Sequence, residues 1–306
     1  MARYSNPQIR QKTFKDSTHN EHRDTLKLVF GIIAVLVATL LIADRLCYYF
    51  APRLPFSWEV KLADNLGLSE KSFALMGSNN GKKPNPQDVA TRDALQARVE
   101  VLRKTLAFPD DMPIVVHYIK SDTVNAAATL GGHVAVFQGL IARVQSQEEL
   151  DAVLAHELGH VRHRHMARQM SRGIMIGTVL SFMGMNSSGV FQWLLGDVQN
   201  FELLARSREA EREADEDAIF ASKQLYGHTG GMVDLFDSFA ALERERGGGA
   251  IQISWLRSHP LSEDRSAHAK AQLGSSVRPA KTPLDPALQA AAKDLSPDSK
   301  KQDAQS

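Results

Sequence analysis

Cysteine is all but absent: the 306-residue chain carries one, Cys47. A single thiol excludes an intramolecular disulfide framework and any cysteine-based zinc site, so a bound metal would have to use His, Asp or Glu. Excess charge is absent too, with 36 Lys and Arg against 35 Asp and Glu and a net charge of +1. That balance leaves no basic footprint for nucleic acid, and no nucleic-acid partner is expected. There is no internal repeat. The remaining composition, 43% hydrophobic and 23% charged, is that of an ordinary globular protein. The length suits one sizeable domain or two small ones.

Long apolar runs occur in only two places. The first is residues 28–43, LVFGIIAVLVATLLIA, without a charge; CYYFA extends it past Asp44 and Arg45 to Ala51. A bilayer core needs about 20 residues, which this stretch supplies. Tyr48 and Tyr49 would lie at the interface, where amphipathic rings are favoured. A run this dense in Leu, Ile and Val with no polar face argues against a buried core helix. No A-x-A site follows it, so an uncleaved anchor is expected rather than a signal peptide. Arg3, Arg10, Lys12, Lys15, Arg23 and Lys27 precede the run, whereas Arg45, Arg53 and Lys61 follow it. The positive-inside bias puts the N-terminus in the cytoplasm. In a bacterium this predicts a single-pass inner-membrane protein with its main domain in the periplasm, contacting lipid through the anchor.

The expected organisation is a cytoplasmic segment over 1–27, an anchor over 28–50, a linker over 51–86, a folded domain over 87–273 and a disordered tail over 274–306. The linker reading rests on Pro52, Pro55 and GSNNGKKPNP, and the tail reading on its low apolar content. Helical spacing predicts a helix from Asp88 to Phe108. PIVVHYI reads as a strand by its β-branched content. The segment around Gly131 and Gly132 reads as one or two strands with a turn or bulge. Ser146 with Glu149 forms a capping-box signature for a helix running to about Met170. Further helices are expected from Leu203 to Tyr226, closed by Gly227, and from about Gly231 to Arg246. Residues 173–196 form the second apolar run.

The chemistry concentrates in His156-Glu157-Leu158-Gly159-His160, an H-E-x-x-H pattern inside a predicted helix. Residues four apart share a helix face, so His156 and His160 can hold one metal. Glu157 is rotated by about 100° and can address a water on that metal rather than the metal itself. This is the arrangement for metal-assisted hydrolysis, with the glutamate as base. Leu150, Val153, Leu154, Leu158 and Val161 give the helix a separate buried face. A third ligand is needed. The longer H-E-x-x-H-x-x-G-x-x-H pattern fails, because His163 and Met166 stand at its glycine and histidine positions. No Asp or Glu occurs between His160 and Asp197, so a carboxylate ligand must come from farther on. The best source is Ser207-Arg208-Glu209-Ala210-Glu211-Arg212-Glu213-Ala214-Asp215. There Glu211 and Asp215 share a helix face, and the aspartate could take the N–H of a liganding histidine. Ala210, Ala214 and Ala218 make a small-residue stripe beside them. Taken alone, the segment also suits a solvated helix with i, i+4 charge pairs.

Four motifs, spanning Ile114 to Arg265, resemble metallopeptidase family 48, the HtpX, BepA, Oma and CAAX-prenyl-protease group. They are Asn125-Ala126 through Gly131-Gly132 to Gly139-Leu140; ELDAVLAHELGHV followed by Arg164-His165; SREAEREAD; and His259-Pro260-Leu261 with Arg265. The resemblance implies an α+β fold: a zincin-like (gluzincin), mostly helical catalytic domain with a small sheet, preceded by one transmembrane helix. It implies one Zn2+ per chain on His156, His160 and Glu211, Glu157 as catalytic base and Asp215 behind a ligand. His259 would be a fourth ligand, or an oxyanion or substrate contact. It also implies an edge strand within residues 125–136, with Asn125, Gly131 and Gly132 as candidate substrate-strand positions. Glu209, Glu213, His163 and His165 are expected to be structural or surface residues. The family's N-A-F-x-x-P stands here as N-A-A-A-T-L, which alters the pocket near Ala127. One span over 173–196 would put His156 and Glu211 on opposite sides of a bilayer. That segment is therefore expected to be a hairpin over the site, a lid or membrane-facing flap.

The function this implies is endoproteolysis of misfolded, misassembled or membrane-proximal proteins, that is, envelope protein quality control. Partners would be polypeptide substrates, with envelope assembly machinery or self-association left open. The alternative is a metal-binding chaperone or assembly factor with a latent, His259-inhibited protease activity.

Overall fold

The computed structural model describes residues 14–50, 53–66, 68, 73, 85–171, 207–245, 254–273 and 280–295. The apolar run at 173–196 lies outside them. The chain divides into two units, Met1–Tyr49 and Phe50–Ser306. The first contains α1, Phe14–Phe50, a single helix of 37 residues. Within it His22–Ile42 has a mean hydropathy of 2.5 and is long and apolar enough to cross a membrane. Leu28, Phe30, Val35 and Leu41 along it are exposed.

The second unit begins earlier than the sequence suggested. Residues 56–65, expected as linker, form α2, Phe56–Asn65. Phe56, Glu59 and Ala63 fall on one face at helical spacing and are buried. The Pro and Gly signals on either side concealed a three-turn element that needs only one apolar stripe.

Next comes α3, Pro86–Thr105, started by Asn85, whose side chain accepts from Asp88 N at 2.7 Å, and by Pro86 in the first turn. Its Leu95, Val99 and Leu102 enter the core. A three-stranded sheet follows in the order β1-β3-β2, with β1 Val115–Ile119, β2 Ala126–Ala128 and β3 His133–Phe137. β1 runs parallel to β3, and β2 antiparallel to it with Ala127 opposite Ala135. β2 is therefore an edge. Between β2 and β3 the chain turns through Leu130–Gly132, with φ of 77° at Gly131 and 82° at Gly132. A side chain at Gly132 would meet the Pro113 carbonyl oxygen at 2.1 Å. Only glycine satisfies both the backbone conformation and the space. The two glycines thus serve the turn and lie off the strand on which a substrate could pair.

After the short α4, Gln138–Ile141, the chain enters α5, Gln147–Arg162. Ser146 caps it, accepting from Glu149 N, and Glu149 reaches back to Gln145 N at 3.0 Å. Every residue from Gln147 to Val161 is buried, so α5 is a central helix rather than one with a single apolar face. It stops eight residues before the expected end at Met170. Arg164 takes φ of 55°, a left-handed conformation that breaks the helix; residues 165–171 are helical again.

α6, Arg208–Tyr226, is capped by Ser207 and closed by Gly227 at φ 75°. α7 is Gly230–Glu245, α8 Ser254–Ser258 and α9 Glu263–Ala271. Glycines let α6 and α7 approach α5 closely. A Cβ on Gly159 would stand 2.9 Å from Ala214 Cα, and one on Gly231 2.4 Å from the Glu148 carbonyl carbon and oxygen.

The tail is also corrected in part. Residues 286–294, expected to be disordered, form α10, Pro286–Asp294, with Asp285 as cap and Pro286 in the first turn. Leu288 is 1% exposed. Gln138 donates to the Ala291 carbonyl at 2.9 Å, Lys120 pairs with Asp294 at 2.9 Å, and Gln147 N donates to Thr282 O at 2.9 Å. Alanine-rich sequence with a cap forms helix readily, and two apolar anchors suffice to dock it.

Two substitutions check this architecture by urea unfolding of the detergent-solubilised chain. Leu288→Ala should cost about 2–4 kcal/mol by leaving a cavity under α10. Gly159→Ala, although alanine is the better helix former, should cost about 1–3 kcal/mol because the α5–α6 approach must open. An unchanged midpoint for either would count against the packing described.

Candidate metal centre

The capped helices bring the sequence-predicted donors together. α5 supplies His156, Glu157 and His160, α6 supplies Glu211 and Asp215, and His259 follows α8 directly. All six are buried. His156 Nε2 lies 3.1 Å from His160 Nε2 and 3.1 Å from His259 Nδ1. Glu211 is 3.5 Å from His156 Nε2, 3.5 Å from His160 Nε2 and 3.0 Å from His259 Nδ1. One donor atom from each of His156, His160, Glu211 and His259 falls within 4.8 Å of all the others, the one such group among the described residues.

These separations test the fit of zinc. With Zn–N and Zn–O bonds of about 2.0–2.2 Å, tetrahedral donors stand about 3.3 Å apart. The observed 3.0–3.5 Å brackets that value. Three imidazoles and one carboxylate are also a donor set zinc accepts. The site fits the metal.

Support reaches each donor from behind. His156 Nδ1 is 2.9 Å from Asp215 Oδ1, which fixes the tautomer that turns the Nε2 lone pair inward. Arg265 grips Asp215 through two contacts of 2.7 Å and also reaches Glu211 Oε2 at 2.9 Å and the Pro260 carbonyl at 3.0 Å. One guanidinium thus ties α6 to the loop that carries His259. Its face lies over Phe236 and Trp255. His160 Nδ1 lies 2.7 Å from His165 Nδ1, and His165 Nε2 lies 2.7 Å from Glu213 Oε2. His165 is buried and Glu213 half-buried, so both are drawn into the site instead of lying on the surface. His163, by contrast, pairs with Asp217 at 3.2 Å on the flank of the site, as a structural residue.

Electrostatics follow from these neighbours. Burial alone would lower the His156 imidazole, but the Asp215 and Glu211 carboxylates raise it to about 9. Burial would raise Glu211, yet His259 and His156 hold it far below the ordinary carboxylate range. Burial likewise works to raise Asp215, and Arg265 and His156 keep it low. His259 is pushed down by its own burial.

Glu157 points both carboxylate oxygens at donors: Oε2 accepts from Ala128 N on β2 at 2.8 Å, and Oε1 from the Trp255 indole at 2.9 Å. Glu157 is thereby fastened to β2, a buried edge strand of the sheet. Asn125 precedes β2 and is buried, its carbonyl accepting from Phe137 N. Sequence reasoning did not find Trp255, His165 or Glu213 as site residues. For Trp255 the available signal was its spacing of four residues before His259, which one helical turn brings near a ligand; His165 reaches His160 only through the left-handed break at Arg164.

Comparison with known proteins agrees with this geometry. The chain is 34% identical over 163 residues to the metalloprotease YcaL of Escherichia coli (strain K12), covering 52% of this chain and 61% of that protein. It is 40% identical over 170 residues to the beta-barrel assembly-enhancing protease of Yersinia pestis, covering 52% of this chain and 34% of that protein. It is 29% identical over 170 residues to the mitochondrial metalloendopeptidase OMA1 of Schizosaccharomyces pombe, covering 54% and 49%. The chain spans less than two thirds of each of these relatives. Residues 90–273, more than half of the chain, match the model described as Peptidase family M48, and the chain belongs to that family.

Proposed function

We propose that this chain is a membrane-anchored zinc endopeptidase. The observation that carries the reading is the convergence of His156, His160, Glu211 and His259 at zinc-like spacing, with the Glu157 carboxylate held beside them. His156, His160 and Glu211 are the ligands, and Asp215 orients His156. Bound zinc would supply Lewis-acid polarisation of the scissile carbonyl and acidify the attacking water. Glu157 takes the proton from that water and returns it to the leaving amine. Ala128 N–H and the Trp255 indole aim the carboxylate, so the base is set relative to β2. A substrate segment laid along the outer side of β2, where Ala128 N–H already holds Glu157, would then run past the base, with main-chain pairing giving affinity without strict sequence demands. Such pairing favours extended, unfolded segments. Together with the apolar helix α1, this supports misfolded, misassembled or membrane-proximal proteins as substrates. A periplasmic location follows from the flanking basic residues. Envelope assembly machinery is the partner class suggested by the name of one relative, the beta-barrel assembly-enhancing protease.

The decisive comparison is zinc content and casein cleavage of the full chain in detergent beside two variants. Wild type should hold one zinc and cut. Glu157→Gln should keep the metal and lose roughly 10²- to 10⁴-fold in rate. Glu211→Ala should lose both. Equal zinc in all three would remove Glu211 as a ligand.

His259 motivates a second reading. It is fully buried and its Nδ1 stands at ligand distance from the other donors, in the place that an open catalytic site would leave to water or substrate. The form described here is then a latent one, with His259 filling the fourth position. His259→Ala should raise basal casein cleavage with zinc content unchanged. A fall in rate would instead assign His259 to the oxyanion.

A further inference from the structure

The helix α2, placed just after the anchor, carries a buried carboxylate that the site chemistry does not use. Glu59 is 7% exposed. It accepts from the Arg164 guanidinium, which also donates to the Leu54 carbonyl and lies over the Phe56 ring at 5.7 Å. The turn at Gly131 faces this carboxylate and works, after Arg164, against the rise in its pKa that burial causes. The helix presses directly on that turn: a Cβ at Gly131 would stand 2.9 Å from Ala63 Cβ and 3.3 Å from Val60 Cα.

Both neighbours of Glu59 lead to the reacting groups. Gly131 closes the turn after β2, and Ala128 of β2 holds Glu157. Arg164 ends the helix that bears His156 and His160. Its φ of 55° reverses the chain so that the next residue, His165, comes back to His160 Nδ1 at 2.7 Å. A left-handed conformation costs an ordinary side chain about 1 kcal/mol or more and persists only where surrounding contacts enforce it. The contacts on Arg164 come from Leu54, Phe56 and Glu59, all in the segment next to the anchor.

We propose that Glu59 is a positioning residue for the active site, a carboxylate that fixes the zinc-binding helix through Arg164 from a helix, α2, that packs on the Gly131 turn after β2. This rests on the peptidase reading for its consequence but not for its test. The segment following the anchor is thereby part of the catalytic apparatus. Removing one partner of such a buried ion pair strands the other charge.

The experiment uses the full chain in detergent. It measures zinc affinity by chelator competition, the d–d spectrum of the Co(II)-loaded protein, and kcat and KM on a fluorogenic peptide. Glu59→Gln keeps the size of the side chain beside the Gly131 turn but loses the charge that pairs with Arg164. It should weaken zinc about tenfold and alter the cobalt spectrum while KM stays near wild type. Arg164→Gly, which suits the left-handed backbone, should do the same. Glu59→Ala also removes the side chain beside the Gly131 turn and should raise KM several-fold as well. Asp64→Ala, on the exposed side of α2, should change none of these. The proposal is overturned if the Glu59 and Arg164 variants bind zinc as wild type does with an unchanged cobalt spectrum. It is equally overturned if every parameter falls only in proportion to unfolded protein by circular dichroism. Should Glu59→Ala fail to fold, Glu59→Gln and Arg164→Gly carry the same decision. Wild type that binds zinc and cuts nothing would defeat the peptidase reading, while affinity and spectrum would still decide the role of Glu59.

Discussion

The close crossing of α5 and α6 at Gly159 and Ala214 is the constraint on which the rest of the centre depends. A Cβ at Gly159 would approach Ala214 Cα to 2.9 Å, so the two backbones are nearly in contact. Only at that approach can short side chains from two helices meet. His156 and His160 flank the crossing on one helix, and Glu211 and Asp215 flank it on the other, each pair one turn apart. The small residue sits inside the H-E-x-x-H motif because the motif is both ligand set and packing surface. A wider separation would move the Glu211 carboxylate out of reach of both histidines while leaving each helix intact.

Bringing so many polar groups into a dry interior demands compensation. Burying an ion without partners costs several kcal/mol. Arg265 meets that demand for two carboxylates at once, and Asp215 and His165 meet it for the outer nitrogens of the histidines. The result is a closed set in which each group fixes another, and this leaves little freedom for the ligands to reorient. Such rigidity suits a metal site, where a shift of a few tenths of an ångström changes coordination. The same logic explains why Glu157 is tied to a backbone N–H of β2. Glu157 and β2 are then one mechanical unit, and the geometry between the carboxylate and the strand is fixed in advance.

What could be read from the sequence was whatever is encoded locally. The helical period put His156 with His160 and Glu211 with Asp215. Cap chemistry placed Ser146 and Gly227, and paired glycines marked the turn after Asn125. Each of these depends on residues within about one turn of one another. Contacts between distant segments were not legible. Nothing near Arg164 says that Glu59, about a hundred residues earlier, will hold it left-handed, so the helix seemed to run on. His165 reads as a surface residue until the chain reversal at Arg164 returns it to His160. Composition misled at both ends for a related reason. The 51–86 segment is rich in Pro, Gly, Asn and Ser and the 274–306 segment poor in apolar residues, but α2 and α10 each need only a narrow stripe, Phe56 with Ala63 and Leu288 with Ala291, to dock on a core that others build.

Those two docked ends change how the domain itself is understood. A boundary drawn from the family motifs, at 90–273, encloses the cluster of His156, His160, Glu211 and His259 together with Glu157. It excludes Glu59, which pairs with Arg164 from a helix packed on the Gly131 turn, and it excludes α10 with Thr282, which covers α4 and caps the start of α5. The central helix is therefore braced at both ends by segments outside the motif region: near Arg162 by α2 and at Gln147 by the chain around Thr282. A helix buried from Gln147 to Val161 meets little solvent, so its polar groups depend on such partners. The helix that carries H-E-x-x-H is held in place by segments on either side of the motif region, so the alignment of the cluster depends on them and not on the motif alone.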